Sequence, residues 1–168
     1  MVKMNSAQES QFVRELNQHT GIIHRICRIY FSDPVDRQDI FQEIVYQLWK
    51  SYPSFKGESK FSTWMYTVAL NTAFSQLRRE KRSIQQEPLH DHLSEIIPYQ
   101  QSDREEQMKL LYSAINTLSM VDKAIVLLYL EDNSYEEIAA VTGLTKTNVS
   151  VRLVRIKRKL EEKLKETN

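Results

Sequence analysis

Apolar residues return every three or four positions along most of this chain, and only 3 Gly and 4 Pro interrupt its 168 residues. That spacing gathers side chains on one face of a 3.6-residue helix, whereas a half-buried strand needs strict alternation. The pattern predicts an all-α fold, and no stretch reads as a convincing strand. Helices are expected over about residues 6–30, 36–51 and 62–82, and again over about 104–118, 120–130, 135–141 and 146–165. With 41% hydrophobic and 27% charged residues, the chain has enough apolar material for a core and is neither collagen-like, low-complexity nor wholly disordered.

Between the two helical flanks lies SIQQEPLHDHLSEIIPYQQSD (residues 83–103), which has two prolines, no lysine or arginine and four acids. It reads as a flexible acidic linker. Expected domains are therefore 1–82, a linker at 83–103, and 104–168: two small helical bundles on an acidic tether. The overall charge of +1 hides a division, because the three segments carry +4, −4 and +1. Within the last one, residues 146–159 hold six cations and no acid. Such a block suits a polyanion partner, and it equally suits a solvated helix face or the negative end of a helix dipole.

SYEEIAAVTGLT (residues 134–145) resolves part of that choice. Ser134 and Glu137 stand at the spacing of a capping box, in which each side chain satisfies an unpaired backbone donor. Ile138, Ala139 and Val141 can bury the short helix that follows. Gly143 supplies a left-handed turn, Leu144 can fill the space beneath it, and Thr145 can cap the next helix. This is a helix-turn-helix pattern. In the second helix, Val149, Leu153, Ile156, Leu160 and Leu164 make one narrow apolar stripe. Thr147, Val151 and Arg158 fall opposite it, with Arg152, Arg155 and Lys159 along one flank. A helix of this kind fits the major groove, where arginine can donate two hydrogen bonds to guanine.

The first flank offers a second candidate. A loop with Phe55, Lys56, Gly57 and Lys60 leads into an aromatic-rich helix that ends in Arg78, Arg79, Lys81 and Arg82. Alternating rings and cations can hold single-stranded nucleic acid. Phe61, Trp64, Met65, Val68, Phe74 and Leu77 also have core spacing, so the helix rings are expected mainly to pack the bundle. The loop at 55–60 stays open as a binding candidate.

In order and spacing these motifs resemble the bacterial RNA polymerase sigma factors of the extracytoplasmic-function group, within the sigma-70 family. DRQDIFQEIVYQLW (residues 36–49) is similar to the family's polymerase-binding helix, FKGESKFSTW (residues 55–64) with Val68, Ala69, Asn71 and Arg78 to its promoter-melting region, and EEIAAVTGLT with LVRIKRKL to its upstream-element reader. The resemblance implies that Asp36, Asp39, Gln42, Glu43 and Trp49 contact core RNA polymerase. It implies that Phe55, Lys56, Ser59, Lys60, Asn71 and Arg78 contact downstream promoter DNA. The upstream element would be met by Thr145, Lys146, Thr147, Ser150, Val151, Arg152, Arg155 and Arg158. It further implies an anti-sigma factor as a partner and no cofactor. Two positions depart from the common family pattern: Asn148-Val149-Ser150 replaces a Thr-Val-Lys run, so base preference does not carry over, and Met65 replaces a leucine, which nearly conserves volume.

A one-component regulator, with a helical sensor followed by a similar helix-turn-helix, would explain the second flank and leave the first unexplained. An enzyme is not expected: His19 and His24 lack catalytic companions, and His90-Asp-His92 is two histidines without further ligands, so no metal site is expected. The longest apolar run, residues 124–130, falls far short of the roughly 20 residues of a membrane span, and the first ten residues carry no apolar signal stretch. A cytoplasmic protein without membrane insertion is expected. The single cysteine, Cys27, lies on an apolar helical stripe and is expected to pack in the core.

Overall fold

The structure, a computed structural model, describes residues 3–84 and 103–167. Among them are seven α-helices, one 3-10 turn and no strand, divided between two compact units, Met1–His92 and Leu93–Asn168. Apart from its two ends, the expected acidic linker lies outside the described residues, as do His90 and His92.

The first unit holds α1 (Ser6–Tyr30), α2 (Pro34–Ser51) and α3 (Phe61–Ile84), each packed against the other two. Helix α1 begins in a capping box, with the Gln8 amide donating to Asn5 Oδ1 at 2.9 Å and the Asn5 amide donating to Gln8 Oε1 at 3.0 Å. Helix α2 starts two residues earlier than periodicity suggests. Asp33 accepts from the Val35 amide at 2.7 Å, and Pro34 sits at the first helical position, where its missing N–H costs nothing. Ile40, Ile44 and Leu48 recur at four residues and are buried with Ile22, Ile23, Ile26 and Ile29 of α1 and Met65, Ala69 and Ala73 of α3. Cys27 is buried in this core as expected, and burial pushes its thiol up to about 11.

The second unit holds α4 (Asp103–Asn116), α5 (Met120–Leu130), α6 (Tyr135–Thr142) and α7 (Lys146–Glu166). Helix α5 is buried at every position from Ala124 to Leu128, as a helix that is apolar on all sides must be. It packs on both α6 and α7, while α4 packs on α7. Helix α4 stops at Asn116 because the next two amides, of Thr117 and Leu118, reach only three residues back, to the carbonyls of Ala114 and Ile115.

Candidate nucleic-acid interface

The α6–α7 corner is fixed by local chemistry. The Glu137 amide donates to Ser134 Oγ at 3.1 Å, and the Ser134 amide donates to Glu137 Oε2 at 2.8 Å, so the capping box closes. Gly143 lies at φ 73°, and its amide donates to the Ala139 carbonyl at 2.9 Å. Thr145 Oγ1 then accepts from the Asn148 amide at 3.1 Å and starts α7. Val149, Leu153 and Ile156 are buried, with Leu160 and Leu164 half-buried along the same stripe. Thr147, Val151, Arg155, Arg158 and Lys159 stand exposed on other arcs.

Three of the eight residues expected at the upstream element are already engaged within the unit. The Thr145 hydroxyl caps α7. Lys146 Nζ donates to Glu136 Oε1, and this contact holds the Glu136 carboxyl below its usual range. Arg152 Nη1 donates to Asp122 Oδ1 at 2.8 Å, joining α7 to the first turn of α5. Among the described residues no ion pair engages Arg155, Arg158 or Lys159. Ser150 is half-buried beside the stripe. Sequence reasoning missed Val154, which is 59% exposed; its distance from the apolar stripe on a helical projection was the available signal.

In the first unit the 55–60 loop follows the 3-10 turn Tyr52–Ser54. Lys56, Ser59 and Lys60 are exposed, and Gly57 takes a left-handed φ of 72°. Phe55 is not a free ring. It lies 5.0 Å from Trp64, 6.1 Å from Tyr52 and 6.0 Å from Phe61 between centroids, half-buried at the edge of a cluster that continues through Phe12 to Trp49. The helix rings divide: Phe61 is buried, whereas Trp64 and Phe74 are half-buried. Trp64, Asn71 and Arg78 recur at seven residues and so share a strip of α3, with Asn71 and Arg78 exposed on it. Loop and strip together make a candidate track of rings, an amide and cations.

The residues expected on the polymerase-binding helix separate into two surfaces of α2. Asp36, Asp39 and Glu43 border a cleft of about 260 Å³ together with Gln76, Arg79 and Glu80 of α3. Glu43 Oε1 also accepts from Gln47 Nε2 at 2.8 Å. Gln42 and Trp49 lie instead with Phe41, Val45 and Tyr46, around an apolar depression of about 340 Å³ that sequence reasoning did not single out. Among the described residues no group of three His, Cys, Asp or Glu could hold a metal, and no helix is long and apolar enough to cross a membrane.

The sigma-70 region 2 family pattern matches residues 16–83, and the sigma-70 region 4 pattern matches residues 108–160. The chain is 30% identical over 141 residues to the ECF RNA polymerase sigma-E factor of Haemophilus influenzae, an alignment covering 77% of this chain and 75% of that one. The chain belongs to the extracytoplasmic-function sigma factors. It is also 25% identical over 155 residues to the RNA polymerase sigma factor SigV of Bacillus subtilis, covering 92% of this sigma factor and 91% of SigV. Its fold matches the sigma factor RpoE in the co-crystal structure with the anti-sigma factor NepR from Bartonella quintana, with a TM-score of 0.77 and 26% identity over 92% of this chain and 97% of that one. CnrH, solved in complex with the cytosolic domain of CnrY, shares the fold at a TM-score of 0.70. The region 2 match accounts for the first unit, which the one-component regulator reading leaves without a role.

Proposed function

We propose that this sigma factor, itself not an enzyme, binds core RNA polymerase in the cytoplasm, brings it to promoters through its second unit and stabilises opened DNA through its first. The observation that carries the reading is the outward arc of α7, where Arg155, Arg158 and Lys159 are exposed away from a buried apolar stripe and behind a capped turn. A helix so placed can enter the major groove, with Thr147, Ser150 and Val151 nearest the base edges and the arginines on guanine or phosphate. Lys146, Arg152 and Thr145 flank it, positioned by Glu136, Asp122 and the α7 cap.

On α2, Asp36, Asp39 and Glu43 offer carboxylates to a basic surface of the polymerase, and the apolar side bearing Gln42 and Trp49 extends that contact. The proposed domains follow: 1–82 for polymerase and melted DNA, 83–103 as the connection, 104–168 for duplex.

Opening is the second task. Unstacking and unpairing a base costs about a few kcal/mol, and stacking on a ring returns about 1–3 kcal/mol per base, so thermal opening followed by capture needs no nucleotide hydrolysis. The 55–60 loop supplies Lys56, Ser59 and Lys60 to the backbone. The Phe55–Trp64 pair gives a braced apolar edge, and Asn71 and Arg78 extend the track along α3. An anti-sigma factor is a further proposed partner, as RpoE has in NepR.

Purified chain added to core polymerase freed of other sigma factors is expected to yield discrete run-off transcripts from fragmented genomic DNA. Start-site thymines in those complexes should become permanganate-reactive. A chain that never associates with the core enzyme would overturn the proposal.

A further inference from the structure

Val151 and Val154 are the large apolar side chains that stand exposed on α7, at 50% and 59%. β-Branched residues are poor helix formers, and an exposed valine gains no packing in return, so the helix alone gives no reason for them. Together with Thr147 they stand at i, i+4 and i+7, one strip roughly opposite the buried Val149, Leu153 and Ile156. Exposed cations, Arg155 and Arg158, lie beside this strip. An apolar strip among cations calls for a partner that is anionic overall yet carries small apolar groups at its recognised surface. The duplex major groove is such a surface, because phosphates line its edges and each thymine projects a 5-methyl group into it.

We propose that Thr147, Val151 and Val154 form a methyl-reading strip, specifying thymine in the upstream promoter element through its 5-methyl group. The inference rests on the placement of α7 in the groove argued above and adds the base class that it reads. Seven residues of helix rise about 10 Å, which matches about three base-pair steps of 3.4 Å, so the three side chains of the strip address up to about three pairs within a span of about four.

The test uses holoenzyme assembled from core polymerase and the full chain, selecting on random duplex pools synthesised with either thymidine or deoxyuridine. The two bases present the same hydrogen-bonding groups and differ only in the methyl. The thymidine pool is expected to yield an element with thymine at one to three positions within that span. Replacing each of those thymines by uracil should weaken binding about fourfold per fully buried methyl. In the double variant V151A/V154A, which improves helix propensity at exposed sites, that ratio should fall close to one while polymerase association persists. Equal affinity for thymine and uracil versions overturns the strip and leaves α7 in the groove. Selection of no element from either pool overturns the groove placement, and the strip with it. Loss of polymerase association in the double variant would assign the valines to a protein contact and overturn the proposal.

Discussion

In the first unit, helices of 25, 18 and 24 residues share a core of long aliphatic side chains and a cluster of rings; in the second, shorter helices of 14, 11 and 8 residues lead to the 21-residue α7, and side-chain caps open α5, α6 and α7 as they open α1 and α2 in the first. Isolated helices shorter than about 12–15 residues are marginal in water. Helices α5 and α6 therefore depend on burial and on Ser119, Ser134 and Gly143 to fix their ends. The contrast teaches where precision is placed. The first unit is held by its core and presents side chains along long, rigid helices. The second sets the direction of α7 through a few backbone-satisfying residues.

The sharpest way to break this contrast is to remove core volume from the first unit. Ile44 is fully buried in α2, so Ile44→Ala should destabilise that unit by about 2–5 kcal/mol. Both tryptophans, Trp49 and Trp64, belong to it, so the midpoint of tryptophan emission in urea reports on it directly. An unmoved midpoint would contradict a core-held unit.

A second substitution probes function without touching either core. Arg155 is exposed on α7, so Arg155→Ala should leave stability and polymerase association unchanged. Holoenzyme affinity for a selected promoter should weaken by about 1–3 kcal/mol if the guanidinium meets a base, measured by gel shift at fixed salt. Unchanged affinity would remove Arg155 from the interface.

The same contrast decides what could be read from the sequence. In the second unit the decisive interactions join residues within about four positions of each other: Ser134 with Glu137, Gly143 with Ala139, Thr145 with Asn148. Their pattern is local, and the corner forms as expected. What escaped notice there were pairs distant in sequence, since nothing near Arg152 announces Asp122, thirty positions earlier. In the first unit the helices and their buried faces follow from periodicity, whereas the lodging of Phe55 against Tyr52, Phe61 and Trp64 depends on how a loop folds back over two elements. The division of α2 into an acidic side and an apolar side was open to a helical projection, but which side borders Arg79 depends on tertiary packing.

A smaller effect tests whether caps hold the second unit. At Gly143 an added Cβ would meet nothing within 4 Å, so Gly143→Ala has no steric clash and isolates the cost of the left-handed backbone. That cost should be about 1–2 kcal/mol, lowering thermal stability by far-ultraviolet circular dichroism while the tryptophan midpoint stays in place. An unchanged melt would mean that burial alone sets the turn.

The smallest effect concerns Arg152 and separates a brace from a reader. The Arg152 side chain is 34% exposed and that of Asp122 14%, so the pair is only partly shielded from water, and Asp122→Asn should cost less than about 1 kcal/mol of stability. The consequence for DNA is more informative. If Asp122 holds Arg152 against α5, the arginine releases no counterions on binding, and Arg152→Ala leaves the salt dependence of holoenzyme binding at its wild-type slope. Asp122→Asn frees the guanidinium to reach a phosphate, and the slope of log affinity against log salt should then steepen by about one. A shallower slope in Arg152→Ala would show instead that the arginine leaves Asp122 when the helix enters the groove. In that case the pair is a latch released by DNA, and the orientation of α7 in the bound state rests on the α6–α7 caps and the buried stripe of Val149, Leu153 and Ile156.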